Sequence, residues 1–145
     1  MEYIIINIGK KVKEKAEDRS NLNNNFYNWK IIMSKPIYAK ILHSSLCHYG
    51  FIYKIGLNID TIPFNPKGEC QSGGLYFCKY SDIYLYLDNG TLIADVEIPE
   101  DAIVYHEKNK KSKANKLIIK NIRPIPHELY LKAINNGILI RPNSM

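Results

Sequence analysis

Five side chains in this chain are of the kinds that hold zinc: His43, Cys47, His48, Cys70 and Cys78. Thiolates and imidazoles make the usual tetrahedral set. Their spacing supplies neither a C-x-x-C nor an H-x-x-x-H knuckle, and small cysteines are ordinary core residues, so no metal site is assigned. Cys70 or Cys78 could also pair with His48 as nucleophile and base, but nothing beside either cysteine signals an activated thiolate. Asp95 and Glu97 lie two residues apart and share one face of a strand, a spacing open to paired acid and base work, with Glu100 and Asp101 just beyond. Exposed acids at a strand end are the commoner case. The lysines at 108, 110, 111, 113 and 116 form the one basic cluster. They could meet phosphates, but no aromatic residue among them would stack a base, so a solvated hairpin loop is the reading. Gly73-Gly74 stands just before an apolar run. The pair suits a turn or bulge, or a close backbone approach to a ligand. No convincing catalytic set emerges, and whether the chain is an enzyme stays open, with the reading leaning to a non-enzyme.

The elements that must position these residues are short. Ile37–Leu42 alternates, Phe51–Leu57 is aromatic and β-branched, and Leu75–Cys78 follows the glycine pair, so each reads as a strand. Ser81–Leu87 fits either a short helix or a strand by period, and a helix that ends at Asn89-Gly90 is the favoured reading. Thr91–Ile98 and Lys116–Ile122 are the clearest remaining strands, separated by the lysine-rich loop and closed by prolines at 99, 124 and 126. His127–Asn136 carries helical periodicity, and Gly137 stops it. The expected fold is α+β: a small mixed, mainly antiparallel sheet with one or two short helices and a C-terminal helix. Residues 1–32, with a charged stretch and an Asn tract, read as a loosely attached N-terminal arm with the composition of a disordered segment, 33–125 as the α+β domain, and 126–145 as the C-terminal helix and tail.

With 145 residues, 46% of them hydrophobic, the chain suits one domain with a proper core. No apolar run reaches the roughly 18 residues needed to span a bilayer, and the first residues place charge after the apolar stretch, opposite to a secretory signal. The expectation is therefore no membrane association, and three cysteines fit a reducing compartment. Ile, Lys, Asn and Tyr supply 66 of the 145 residues, a skew toward AT-rich codons that discounts the net charge of +6 as a sign of nucleic-acid binding. Arg, the bidentate reader of phosphate and base edges, is scarce.

The segments His48-Tyr49-Gly50-Phe51, Tyr53, Gly56–Asp60, Pro63–Pro66, Cys70, Gly73–Phe77, Val96–Pro99, Asp101-Ala102 and Lys113–Lys116 run in the order H-x-G-F-x-Y-x-x-G-L-N-x-D, P-F-N-P, C-x-x-G-G-L-Y-F, K-A-x-K. This string resembles the amino-terminal domain of mimivirus ankyrin-repeat proteins, over about residues 36–125. The resemblance implies a giant-virus protein of a family without an assigned function. With the family's attachment to ankyrin arrays and no convincing catalytic set, the expectation is a module that engages a host or viral protein in the host cytoplasm or viral factory, is not secreted, and needs no cofactor. Tyr49, Phe51, Asn58, Asp60, Phe64, Gly73, Gly74 and Tyr76 are the candidate binding residues. His127–Gly137 resembles the first helix of an ankyrin array, and a lone repeat cannot bury its own apolar face. A second similarity is to ADP-ribosyltransferases. Their His-Gly-Thr, Gly-x-Tyr-Phe, Glu-Val and late Glu segments correspond in order to His48, Gly74–Phe77, Asp95–Ile98 and Lys116–Ile119. It implies an NAD or ADP-ribose site, active or decayed, with His48, Tyr76 and Glu97 as candidate catalytic residues. Lys116 would stand where the glutamate should, and a cation there cannot stabilise an oxocarbenium-like transition state.

Overall fold

The computed structural model describes residues 4–5, 36–67 and 71–138. Cys70, the tail beyond 138 and all of the expected arm but Ile4 and Ile5 lie outside these residues. Ten strands are present: β1 (Ile4–Ile5), β2 (Tyr38–Leu42), β3 (Cys47–His48), β4 (Phe51–Ile52), β5 (Gly56–Ile59), β6 (Leu75–Lys79), β7 (Leu92–Glu97), β8 (Ile103–His106), β9 (Lys111–Ala114) and β10 (Lys116–Pro124). A 3₁₀ segment, Tyr80–Asn89, lies between β6 and β7, and helix α1 (His127–Asn135) follows β10. Eight strands form one sheet in the order β1-β8-β9-β6-β2-β7-β10-β5, and β3-β4 is a separate hairpin. Every described pairing is antiparallel. The α+β, sheet-dominated class expected from the sequence is the one observed.

Strand alternation sorts apolar residues onto both faces of the sheet. On β2, Ala39 and Ile41 join Ile83, Leu87, Ile93, Leu129 and Ala133 in a cluster covered by the 3₁₀ segment and α1. Leu42 points into the other cluster, with Phe77, Val96, Val104, Leu117 and Ile119. Helix α1 therefore packs on the sheet: Leu129 and Ala133 are buried, and Lys132 donates to the Ser81 carbonyl at 3.2 Å while lying over the Tyr84 ring. The outer residues of α1, Leu131 and Ile134, remain exposed.

Three local outcomes depart from the sequence expectation. The stretch Phe51–Leu57 is divided into β4 and β5, because the Asn58 side chain folds the chain back on itself. Its carbonyl oxygen accepts the Lys54 N–H at 3.0 Å, and its amide donates to the Lys54 and Gly56 carbonyls. A buried amide satisfied in this way fixes a turn that no apolar pattern announces. The lysine-rich stretch is not one loop. Lys111–Ala114 is strand β9, paired on both sides, with Ser112, Lys113 and Ala114 buried. The short helix over 81–87 is real but 3₁₀ in type, spanning Tyr80–Asn89 and kinked at Tyr86.

Strands β9 and β10 are one chain path that forks at Asn115. There the side-chain oxygen accepts the Ile103 N–H at 2.8 Å, the backbone N–H reaches the Ile103 carbonyl, and the carbonyl takes the Asp60 N–H at 3.0 Å. The strand so passes from its β8 partner to its β5 partner. The turn into β7 is equally constrained. A Cβ on Gly90 would stand 2.2 Å from the Leu42 carbonyl oxygen, a contact with backbone that cannot swing aside. Its φ of 168° is ordinary extended backbone, so the constraint is steric alone. Gly90→Ala is expected to destabilise the fold by about 1–3 kcal/mol through overpacking, read as a lowered midpoint in urea with an unchanged slope.

Candidate functional site

A cleft of about 630 Å³ opens between β2, the β3-β4 hairpin, the 60–62 turn and the start of β6. That volume lies within the range of small-molecule pockets. Of the residues singled out from sequence, His48, Tyr49, Phe51, Asp60, Gly73, Gly74 and Tyr76 all line it. Asn58 and Phe64 do not: Asn58 is the buried turn latch, and Phe64 is half buried in the loop before β6. Glu97 is also elsewhere. It is half exposed and ion-paired to Lys120 across β7 and β10, beside an Arg123–Asp95 pair at 3.1 Å. Lys116 pairs with Asp101 at 2.7 Å, which holds the Asp101 carboxyl below its usual range. The strand acids are thus surface ion-pair partners, and His48 and Tyr76 meet without Glu97.

The walls of the cleft are held by backbone detail. Asp60 spends one carboxylate oxygen on the Gly74 N–H at 2.8 Å and the other on the Ile62 N–H, fixing both rims. Gly73 and Gly74 have positive φ, and a Cβ on either would strike the protein itself: the Pro63 carbonyl at 2.6 Å, or the Lys113 side chain at 2.7 Å. The glycine pair therefore serves the approach of the 63–65 loop and of Lys113 to the chain. Tyr76 is fixed at its far end by donating to a Glu107 carboxylate oxygen at 2.6 Å. Its ring lies under the Lys111 and Lys113 ammoniums, at 4.9 and 5.7 Å from the centroid.

Sequence reasoning missed the central polar group. Lys40 lines the cleft at only 6% exposure, donates to the Tyr76 carbonyl at 2.6 Å and lies over the Tyr53 ring at 4.7 Å. No carboxylate among the described residues is within ion-pair distance of it. Burial depresses its basicity to a pKa of about 7, and nearby Lys111 adds to this. The same desolvation, with Lys40 close by, holds His48 below its ordinary value. Burial pushes the Cys78 thiol up to about 12, so the candidate nucleophile is kept as an inert thiol. Lys40 sits in an alternating strand where its period marks a buried position, which was the available signal.

Tyr49 stands at the tip of the β3-β4 hairpin with φ 49°, followed by Gly50 at φ 80°. Two positive φ values in a two-residue turn favour Asn-Gly, and a bulky residue there is strained. The strain presents a ring that is 96% exposed, edge-on to His48 at 4.5 Å. Among the described residues no three His, Cys, Asp or Glu side chains gather as a metal site, and no helix is long and apolar enough to cross a membrane.

The fold and cleft define a sheet-dominated α+β domain with a cavity lined by basic and aromatic side chains. Its homologues are mimivirus proteins. The chain is 46% identical over 71 residues to an uncharacterized protein of Acanthamoeba polyphaga mimivirus, covering 48% of this chain and 51% of that protein. It is 39% identical over 71 residues to an ankyrin repeat protein of the same virus, covering 48% of this chain and 35% of the relative. A further ankyrin repeat protein is 32% identical over 120 residues, 77% of this chain and 20% of the relative. The chain spans about half the length of the first of these relatives and less of the others. The relatives expected from the motif string are those found, and no comparison shows the similarity to ADP-ribosyltransferases. No family model and no solved structure matches.

Two outcomes test the site's physics. Folded Lys40 loses its proton near pH 7 and unfolded lysine near 10.5, so between them unfolding takes up a proton and stability rises with pH. Above about pH 9 the raised Cys78 thiol acts in the opposite direction. Chemical denaturation should therefore show stability increasing from pH 7 to 9, and Lys40→Met should flatten the rise. Tyr49→Asn should relieve the turn and raise stability by about 1 kcal/mol, measured as a higher thermal midpoint.

Proposed function

We propose that the domain is a non-catalytic protein-interaction module that engages a host or viral protein in the host cytoplasm or viral factory. The observation that carries this reading is the outer edge of the sheet. β5 is its last strand, bonded to β10 on one side and to no described strand on the other. Ile55, Leu57 and Ile59, spaced by two, are 62%, 45% and 57% exposed. An edge with no described partner strand, carrying exposed Leu57 and Ile59 with Ile55 exposed at the turn before them, is a surface to which a partner strand can add, main-chain bonds giving affinity and the aliphatic side chains specificity. Natural sheets usually blunt such edges with charge, and this one does not. The ankyrin repeats of the relatives support the same reading, since repeat arrays present extended binding surfaces.

A second reading, an ADP-ribose or NAD site without transfer, is favoured by His48 and Tyr76 lining one cleft. Transfer by the mechanism that the resemblance implies lacks its carboxylate there, because Glu97 and Lys116 are engaged in surface ion pairs.

Capture from infected-host lysate should distinguish the edge from the rest of the surface. Leu57→Lys and Ile59→Lys, at exposed positions, should change stability by no more than about 0.5 kcal/mol. Together they should abolish capture of the partner that the unaltered chain retains. Equal capture by both would remove the edge from consideration.

A further inference from the structure

Burying an ammonium without a counter-charge is costly, and a protein meets the cost by deprotonating the group or by supplying an anion. Lys40 is buried at the wall of an open cavity, with one carbonyl as its hydrogen-bond acceptor. Among the described residues its surroundings do not supply the anion. β9 brings Lys111, the β3-β4 hairpin brings His48, and β6 brings Cys78 and the Tyr76 carbonyl. Tyr53 offers its ring face, and β7 places apolar Ala94 opposite. Of the nearby carboxylates, Asp60 binds the Gly74 and Ile62 N–H groups, Asp82 lies 3.8 Å from Lys110, and Glu107, behind Tyr76, accepts the Tyr76 hydroxyl with one oxygen while its other oxygen is buried without a hydrogen-bond partner. The cavity so gathers three basic side chains beside the rings of Phe51 and Tyr76.

We infer that Lys40 is the anion anchor of this cleft, taking a phosphoryl group of a ligand whose planar ring lies against Tyr76 and Phe51. The inference rests on the second reading above and adds to it the residue and the charge state on which binding depends. The step balances simply. Neutral Lys40 takes one proton from solvent as the anion enters, and the resulting ammonium and phosphoryl group form an ion pair that excludes water. A phosphate ester suits the site because it joins concentrated charge to a ring, and stacking on an aromatic wall is worth about 1–3 kcal/mol per base.

Calorimetric titration with ADP, with adenosine as the uncharged ring and sulfate as the ringless anion, tests this on the full chain. At pH 8 His48 is already neutral and the terminal phosphate of ADP, with its second ionisation near 6, is already dianionic, so proton uptake reports on Lys40. Repeating the titration in buffers of different ionisation heat should count close to one proton taken up per ADP. ADP affinity should fall by up to about tenfold per pH unit between 7 and 9, while adenosine binds more weakly and without pH dependence. Sulfate should compete with ADP. Lys40→Met should lose both the proton uptake and ADP binding while melting no lower than the unaltered chain at pH 7. If ADP binds without proton uptake, or binds Lys40→Met as tightly, the anchor is refuted while the nucleotide cleft survives. If ADP binds at no pH, both are refuted, and the proton count on the unaltered chain decides the matter even if the variant does not fold.

Discussion

A buried amine at one position of β9 holds together the chain segments behind the cleft. Lys113 is fully removed from solvent, so its ammonium must be met by protein oxygens, and it donates to the carbonyls of Lys67 and Gln71. Those two carbonyls belong to the long connection between β5 and β6, some forty residues earlier in the chain. The same side chain runs against Gly74, where no Cβ would fit, and places its charge near the rings of Tyr76 and Tyr105. One satisfied cation thereby docks a loop, sets the position of a glycine turn and backs the aromatic wall of the cleft. Removing either carbonyl from it would leave a buried charge underbonded, which is costlier than never burying it.

This explains why the sequence discloses the strands more readily than the site. Period-two patterns in Tyr38–Leu42, Leu75–Lys79 and Leu92–Glu97 report burial on two faces, and they lead to the observed sheet. The order of the strands and the fork at Asn115 depend on side-chain bonds between residues twelve apart, which no local pattern encodes. The lysines between 108 and 116 mislead for a related reason. By composition they are a solvated run, whereas Lys113 is buried, Lys111 covers Tyr76, Lys110 faces Asp82 and Lys116 faces Asp101. Their shared type conceals four different environments, and only tertiary packing separates them.

The candidate binding residues fared according to how each earns its place. His48, Tyr49, Phe51, Gly73, Gly74 and Tyr76 lie where the hairpin and the start of β6 face one another across the cavity. Asn58 stands two residues from Asp60 in sequence, yet its amide is consumed in closing the turn before β5. Even Asp60, on the rim, offers its carboxylate to backbone N–H groups. Residue type alone does not distinguish a polar group that builds a wall from one that meets a ligand. The hydrogen-bond inventory does, because an oxygen already accepting from the backbone has less to give.

The separation of the two surfaces follows from the topology. Strand β5 hangs on β10 at one end of the sheet, while β2 and β6, which form the floor of the cleft, lie near its middle. A strand added to β5 would extend the sheet without entering the cavity, so the edge and the cleft are separate in their contacts. They are linked through the chain between them. The Asn58 latch sits on β5 itself, Asp60 follows directly, and its carboxylate holds the Gly74 rim of the cavity. A partner at β5 that shifted the strand would move the turn that carries Asp60. By linkage, a ligand that restricts the same turn would favour the partner by an equal factor. The exposed edge and the internal cavity thus share six residues of chain, Leu57 to Ile62, whose turn is held at one end by Asn58 and at the other by Asp60.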